Sequence, residues 1–493
     1  MDDGVGAVDA VARRLAYVAI TRAEERLFMV QPQSSCLINE IKSVAQNIED
    51  YFEIQLENVD IKDKYYKELN DEKKKGLDIL MSGENVFLTG EAGTGKTYLL
   101  NRYIKYLNDF GKNIIICAPT GIAASNYPNG RTIHSAFELK PYPSVIYDET
   151  PGYKTCDVLI IDEISMCRLD MFEYMMNMVL NAYSKGYKVQ VIVCGDFFQL
   201  PPVVIDNERS ILKELFEGFN EGFAFESKTW NEMNFKAIWL KEIFRQKDNK
   251  DNFVDALNSI RRGKDVDKYI KLINDGCSKE PNKDAIEIHS KNAEVCKYNN
   301  QGLSKCNGEE YIYKAEIYGN DPISPDLNIE NEIHLKPGAR VMMTRNSGIG
   351  TNRIITYRNG SCGTVVTCTN DYIDIVLDEG GCARISKHKF PCYGELKIFV
   401  NSDGTKEVIQ EETNTVVHQL PIKLAYAITI HKSQGQTYEK VNLNPDGWEN
   451  GQLYVALSRI KSLSGLYLYK PIEAKVIKTS QSVIDFYNNL ETE

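Results

Sequence analysis

Short apolar runs that break off in polar turns are the dominant pattern in the first half of the chain. They fall at residues 85–89 (NVFLT), 113–118 (NIIICA), 158–161 (VLII) and 189–194 (VQVIVC). An uninterrupted apolar run, in place of an alternating one, predicts a strand buried on both faces and so a parallel sheet. Helical periodicity lies between them. Leu99, Leu100, Tyr103, Ile104, Leu107 and Phe110 make one apolar face of a helix over 97–110, which Gly111 stops. A helix over about 71–81 leads into the first strand. Strands alternating with helices predict an α/β, doubly wound parallel sheet. In the second half, short apolar runs at 284–289, 441–443 and 465–469 predict another sheet. Between them GARVMMTRN, NGSCGTVV, YIDIVLD and ARISKHKF are separated by turn residues, a β-rich pattern that predicts a small β-barrel. Asp403-Gly404 marks a hairpin. Residues 36–68 read as a charged helical linker, and 141–155, rich in Pro and Tyr, as an irregular insertion.

Length sharpens this picture: 493 residues exceed one domain and suggest three or four, at about 150 residues each. No apolar run is long enough to span a bilayer, and the acidic N-terminus carries no signal-peptide core, so a cytoplasmic or nucleoid-associated protein with no membrane partner is expected. The 12 cysteines include no C-x-x-C pair and read as reduced thiols. Cys362, Cys368, Cys382 and Cys392, with His388, do not have the spacing of a zinc module and read as core or surface residues. A net charge of -11 argues against a protein that coats nucleic acid generally, and leaves room for a local groove that follows phosphates.

Chemistry concentrates at the strand ends. GEAGTGKT fits G-x-x-x-x-G-K-[ST], with Gly90, Glu91, Ala92, Gly93, Thr94, Gly95, Lys96 and Thr97 forming the loop between strand and helix. A loop that wraps a polyphosphate must turn its backbone N–H groups inward, and side chains would obstruct them. Lys96 can reach the β- and γ-phosphates, Thr97 can ligate Mg²⁺, and the helix N-terminus adds attraction. In VLIIDEIS two carboxylates end a buried strand: Asp162 is placed to hold Mg²⁺, Glu163 to orient and deprotonate a water. In VQVIVCGDFFQLPPV, Gln199 can hydrogen-bond a γ-phosphate; its plainer reading is a turn residue beside Pro201 and Pro202. PTGIAAS and RTIHSAF place Thr120, Gly121 and His134 after the second strand, where ligands bind an α/β sheet; taken singly they read as loop or capping residues.

In this order, GEAGTGKT, APTGIAAS, IIDEIS and GDFFQLPPV resemble the PIF/RecD-like branch of superfamily 1B DNA helicases. LKEIFRQ resembles the family's motif with a phosphate-contacting arginine, here Arg245. LPIKLAYAITIHKSQGQTYEKV resembles the single-strand-contacting motif and includes Thr429, His431, Lys432, Ser433, Gln434 and Gly435. GQLYVALSRIKSLSGL resembles the arginine-finger motif, giving Arg459. The resemblance runs from about residue 69 to 469. It implies two RecA-like P-loop NTPase lobes, a first at 69–230 and a second at 231–335 and 420–493, with the β-barrel insertion at 336–419. It also implies ATP with Mg²⁺ in their cleft, 5′-to-3′ movement on single-stranded or forked DNA, and a monomer. On this reading Lys96, Glu163, Gln199, Arg245 and Arg459 are catalytic. Thr120, Gly121, His134, Thr429, His431, Lys432 and Ser433 contact DNA. Lys336, Arg340, Arg345, Arg353 and Arg358 form either a solvated face or a further DNA-facing surface.

The chain departs from the family at two places. Lys73 stands where the family has a glutamine that reads adenine, which leaves the base preference open. Residues 1–35 resemble the last motif of UvrD-type superfamily 1A helicases: YVAITR, ending in Arg22, repeats YVALSR, ending in Arg459. One P-loop accommodates one such arginine, so residues 1–35 read as an appended fragment whose helix lies on a surface. A DNA-dependent ATPase that clamps or remodels nucleoprotein complexes without unwinding is the alternative function. An inactive fusion product is a third reading, against which the intact set of site residues argues.

Overall fold

A computed structural model of the chain describes residues 61–139, 156–245, 252–323, 327, 329–347, 357–400, 402, 406–447 and 449–490. The readings of residues 1–35 with Arg22, of most of 36–68, of 141–155, of Arg353 and of Asp403-Gly404 fall outside these. The chain divides into two units, Met1–Lys67 and Glu68–Glu493. Helix Ile61–Tyr66 belongs to the first; everything below belongs to the second.

The first sheet has six strands: β1 (Val86–Gly90), β2 (Ile114–Ala118), β3 (Arg131–Thr132), β4 (Val158–Ile161), β5 (Gln190–Cys194) and β6 (Lys236–Leu240). Their order is β3-β2-β4-β5-β1-β6, and every pair is parallel. β1, β4 and β5 are buried at every position. This is the consequence of covering both faces, and it is why they read as unbroken apolar runs. Helix Lys96–Asp109 buries Leu99, Leu100, Tyr103, Ile104 and Leu107. Phe110, expected on that face, is instead the exposed C-cap, its ring 4.6 Å from that of Tyr106. Gly111 at φ +64 ends the helix, and Lys112 N donates to Leu107 O at 3.0 Å to close the turn. Helix Asp71–Met81 starts at Asn70, whose side chain accepts from Lys73 N.

Two boundaries differ from expectation. β6 pairs with β1 from Val86↔Lys236 to Gly90↔Leu240, so the first sheet continues past residue 230. The C-terminal helix Gln481–Leu490, expected in the second lobe, packs in the first: Val483 and Tyr487 join Phe87, Phe197 and Trp230 in its core.

The second sheet is also parallel, with the order Ala427–Thr429, Ile286–His289, Val441–Leu443, Leu466–Leu468. Its first strand went unread in the sequence, where it runs with no intervening turn into helix Ile430–Ser433. The insertion is antiparallel. Strands Arg340–Met343, Cys362–Cys368, Tyr372–Leu377 and Cys382–Ser386 form one sheet with Ile422–Leu424; Glu316–Tyr318, His388–Tyr393 and Glu412–Gln419 form another. The insertion is therefore wider than 336–419 on both sides. Strands Lys397–Val400 and Lys406–Ile409 pair on either side of Asp403-Gly404. Among the described residues no helix is long and apolar enough to cross a membrane.

Candidate active site

Every strand of the first sheet runs in one direction, so the turns that follow β1, β4 and β5 meet at one edge. They line a cleft of about 580 Å³ whose walls include Gly93, Gly95, Lys96, Thr97, Asp162, Glu163 and Gln199. Arg245, Gly435 and Arg459 complete it. With Ala92, ten of the residues expected for the nucleotide site are thus gathered in one place.

The loop after β1 needs glycine for conformational reasons: Gly90, Gly93 and Gly95 have φ of +146, +87 and +85. Lys96 folds over its own loop, its Nζ donating to Gly90 O at 2.8 Å and Glu91 O at 3.0 Å. Asp162 accepts from Tyr127 Oη at 2.6 Å and from Glu163 N at 2.9 Å. Burial and the neighbouring Asp162 push the Tyr127 hydroxyl well above the usual tyrosine range. Asp162 and Thr97 offer hard oxygen donors in one wall. This set suits Mg²⁺, which takes one or two protein ligands and keeps waters and phosphate oxygens.

Glu163 adopts a left-handed conformation, φ +52 and ψ +47, which is costly for a residue with a Cβ. Gln434 Nε2 holds its carboxylate at 3.1 Å. Burial, and then the nearby Asp162, raises the Glu163 carboxyl above the ordinary glutamate range. Opposite stand two guanidiniums, that of Arg459 buried and that of Arg245 half-buried. Arg459 donates to Val455 O at 3.0 Å and Ser458 Oγ at 2.8 Å, and makes a long 3.5 Å contact to Gln199 Oε1. Arg245 donates to Ser458 O at 2.7 Å. Burial and the charge of Arg459 push Arg245 down to about 10; burial lowers Arg459 as well. Two adjacent cations out of water form a site that gains from an anion.

The expected DNA-contacting residues lie outside this lining. They sit on matching turns in the two sheets. Thr120 caps helix Gly121–Ala124 after β2, accepting from Ala123 N at 3.2 Å. Thr429 caps helix Ile430–Ser433 after the edge strand of the second sheet, accepting from Lys432 N. For Thr120 the plainer reading, a capping residue, holds. Ser433 is buried with its hydroxyl on Ile430 O, so it offers no surface contact. His431 is 3.2 Å from Glu449, and burial lowers the Lys432 ammonium. His134 is exposed on helix Ile133–Phe137. Gly121 faces the insertion closely: a Cβ there would stand 2.8 Å from Asn359 O.

The four described members of the basic set are engaged within the chain. Arg340 forms a fork to Asp378, Lys336 pairs with Glu310, Arg345 donates to Lys389 O and lies over Phe390, and Arg358 donates to Gly130 O. Lys73, at the departing position, is buried with its ammonium over the Phe244 ring at 3.7 Å. Sequence reasoning missed Tyr127, Asn126 and the role of Gln434; none stands at a spacing that announces it.

Residues 68–283 match the model of the PIF1-like helicase family. The chain is 32% identical over 459 residues to the ATP-dependent DNA helicase Pif1 of Psychrobacter sp. strain PRwf-1, covering 80% of this chain and 66% of that protein. It is 30% identical to the ATP-dependent DNA helicase Pif1 of Bdellovibrio bacteriovorus, with 86% and 92% covered. Its fold is similar to a Bacteroides Pif1 helicase solved in complex with ADP-AlF3 and single-stranded DNA, with TM-score 0.71, 31% identity, and 86% and 98% covered. The chain spans just under two thirds of the Psychrobacter protein's length.

Proposed function

The chain belongs to the PIF1-like helicase family, and on that premise we propose that it is an ATP-dependent DNA helicase that moves 5′-to-3′ on single-stranded DNA and unwinds forked duplexes. The observation that carries the reading is the convergence of a glycine loop, two carboxylates and two guanidiniums, one buried and one half-buried, on one cleft between two sheets. The N–H groups of Gly93 to Thr97 cradle the phosphates. Lys96, which has only its own loop carbonyls to leave, turns to the γ-phosphate. Thr97 and Asp162 would hold Mg²⁺, which would supply charge neutralisation on the phosphate oxygens. Glu163, held by Gln434, takes a proton from the attacking water. Arg245 and Arg459 meet the charge that develops on the γ-phosphoryl oxygens.

Arg459 and Gln434 come from the side of the second sheet, so they carry the state of the nucleotide to it; Arg245, expected from the second lobe, instead follows β6 of the first sheet and reaches Ser458 O from there. Loss of the γ-phosphate leaves the two guanidiniums facing each other and favours an open cleft. The turns at Thr120 and His431 then alternate their grip on the strand. Binding of this kind is mainly to backbone and stacked bases, and so is sensitive to salt and tolerant of sequence.

The test is ATP-driven strand displacement on duplexes with a 5′ or a 3′ tail, with Lys96→Ala as control. Displacement from the 5′ tail alone, lost in the variant, is the expected result. Displacement from the 3′ tail alone refutes the polarity. Hydrolysis without displacement from either would mean a DNA-dependent ATPase that remodels nucleoprotein complexes.

A further inference from the structure

A second polar cluster lies behind the cleft and takes no part in the chemistry above. It is completely buried and joins the two lobes. Asp196, in the turn after β5, receives a fork from Arg261 of helix Phe253–Arg262: Nη2 to Oδ1 at 2.8 Å and Nε to Oδ2 at 3.0 Å. Phe198 N donates to Oδ1 at 3.2 Å. The third partner is Tyr454 Oη, which donates to Oδ2 at 3.2 Å. The same hydroxyl accepts from Ala92 N, in the phosphate loop, at 2.9 Å. Arg261 also lies 3.6 Å from the Glu91 carboxylate and 4.2 Å over the Phe198 ring. Tyr454, Asp196 and Arg261 are each at most 2% exposed.

Arg261 Nη1 and Glu91 Oε2 keep no hydrogen-bond partner among the described residues, but Asp196 and the Tyr454 hydroxyl are satisfied, and that fixes their geometry. A hydroxyl offers one donor hydrogen, and here Asp196 takes it while the loop N–H occupies an acceptor position. Burial makes each lost partner expensive, which fixes the hydroxyl between the loop and Asp196. Its helix, Gln452–Ser458, is held at both ends as well. Gly451, at φ +74, brings the N-terminus so close to the Gln199 turn that a Cβ would stand 2.5 Å from Gln199 O. At the other end Arg245 holds Ser458 O, and Arg459 follows directly.

We infer that Tyr454 is a positioning residue: through its hydrogen bonds to Ala92 N–H and Asp196 it sets the distance between the phosphate loop and Arg459. A rigid helix one turn long separates Tyr454 from Arg459, so the loop cannot shift without moving the guanidinium. The inference rests on the ATPase reading above and concerns the same cleft.

Tyr454→Phe keeps the ring and removes both hydrogen bonds. The comparison variant is Tyr103→Phe, which removes a buried hydroxyl bond to Gln190 in the first lobe, 2.7 Å long and away from the cleft. DNA-stimulated ATP hydrolysis and the affinities for ADP and for ADP–aluminium fluoride are measured on the full chain, with the thermal midpoint. Misplacing a catalytic group by a fraction of an ångström costs on the order of tenfold or more. Tyr454→Phe should therefore lose about that factor in kcat and in affinity for ADP–aluminium fluoride, with the KM for ATP and the affinity for ADP unchanged. Tyr103→Phe should show the same drop in thermal midpoint and the parent's kcat. Unchanged kcat in Tyr454→Phe overturns the proposal. So does an equal loss of ADP and ADP–aluminium fluoride affinity, or a loss of kcat that Tyr103→Phe shares; a Tyr454→Phe protein that does not fold assigns the tyrosine to stability and overturns it also. If the parent hydrolyses no ATP on any DNA, it is the functional reading that has failed, and the control with Lys96→Ala separates the two.

Discussion

Glu163 occupies a backbone conformation that an unconstrained residue avoids, between Asp162 and the Ile164–Met166 turn. Strain of this kind costs about 1–3 kcal/mol and persists where the surroundings over-determine it. Here they do: Glu163 N is bonded to Asp162 Oδ1, and its carboxylate to Gln434. The side chain is thereby aimed into the cleft in a fixed pose. Glu163→Gln keeps that pose and removes the base. It should bind ATP as the parent does and lower kcat by about 10²-fold or more. Single-turnover hydrolysis at saturating ATP checks this, and normal turnover would remove Glu163 as the base. Arg459 is argued differently. Burial depresses its guanidinium, and burial with the charge of Arg459 depresses that of Arg245, so an arriving phosphate is stabilised on arrival and more so as charge builds. Arg459→Ala should cost about 10³-fold in kcat, measured beside ATP binding, which should change far less. The residues with these roles were legible in the sequence because phosphate chemistry demands short local patterns. Tyr127, Gln434 and Tyr454 were not, because each acts on a partner far along the chain: Tyr127 on Asp162, Gln434 on Glu163, Tyr454 on Ala92.

At the scale of elements, the C-terminal helix shows what periodicity conceals. Its apolar stripe announces that Gln481–Leu490 packs on something, but not on which sheet. It returns to the first lobe, where Tyr487 shares a hydrogen bond with Thr89 at the end of β1 and receives one from Phe197 N. Its ring stacks on Phe198 at 4.9 Å. Tyr487→Ala should destabilise the fold by about 3–5 kcal/mol, as large aromatic truncations in cores do, read by urea unfolding. β6 was hidden for a related reason: its burial pattern is irregular, with Lys236 and Ala237 exposed, so no unbroken apolar run marks it. Gly451 gives an element-scale prediction of the opposite sort. Gly451→Ala introduces a Cβ at a left-handed position against Gln199 O. It should cost about 1–3 kcal/mol and push helix Gln452–Ser458 off the turn, lowering kcat more than it lowers ATP affinity. Thermal unfolding and steady-state kinetics on one preparation separate the two effects.

On the whole-molecule scale, every residue that lines the cleft lies within the unit Glu68–Glu493. The strands of both sheets, the insertion and the C-terminal helix lie there too. The repeat of YVAITR near the N-terminus adds a second arginine of the finger type, Arg22, to a chain with one phosphate loop. The finger position of that cleft is already taken. Arg459 is buried in it, bonded by its own helix and flanked by Arg245. A third guanidinium would have to enter beside two whose charge is already poorly tolerated, which burial makes unfavourable. A protein beginning at Glu68 should therefore keep the parent's kcat for DNA-stimulated ATP hydrolysis and its strand displacement, and so should Arg22→Ala in the full chain. The two variants must be assayed together. Loss in the truncated protein alone would give residues before Glu68 a part in DNA engagement or stability. Loss in Arg22→Ala would place a working arginine outside the cleft described, and the assignment of Arg459 as the sole finger would fall with it.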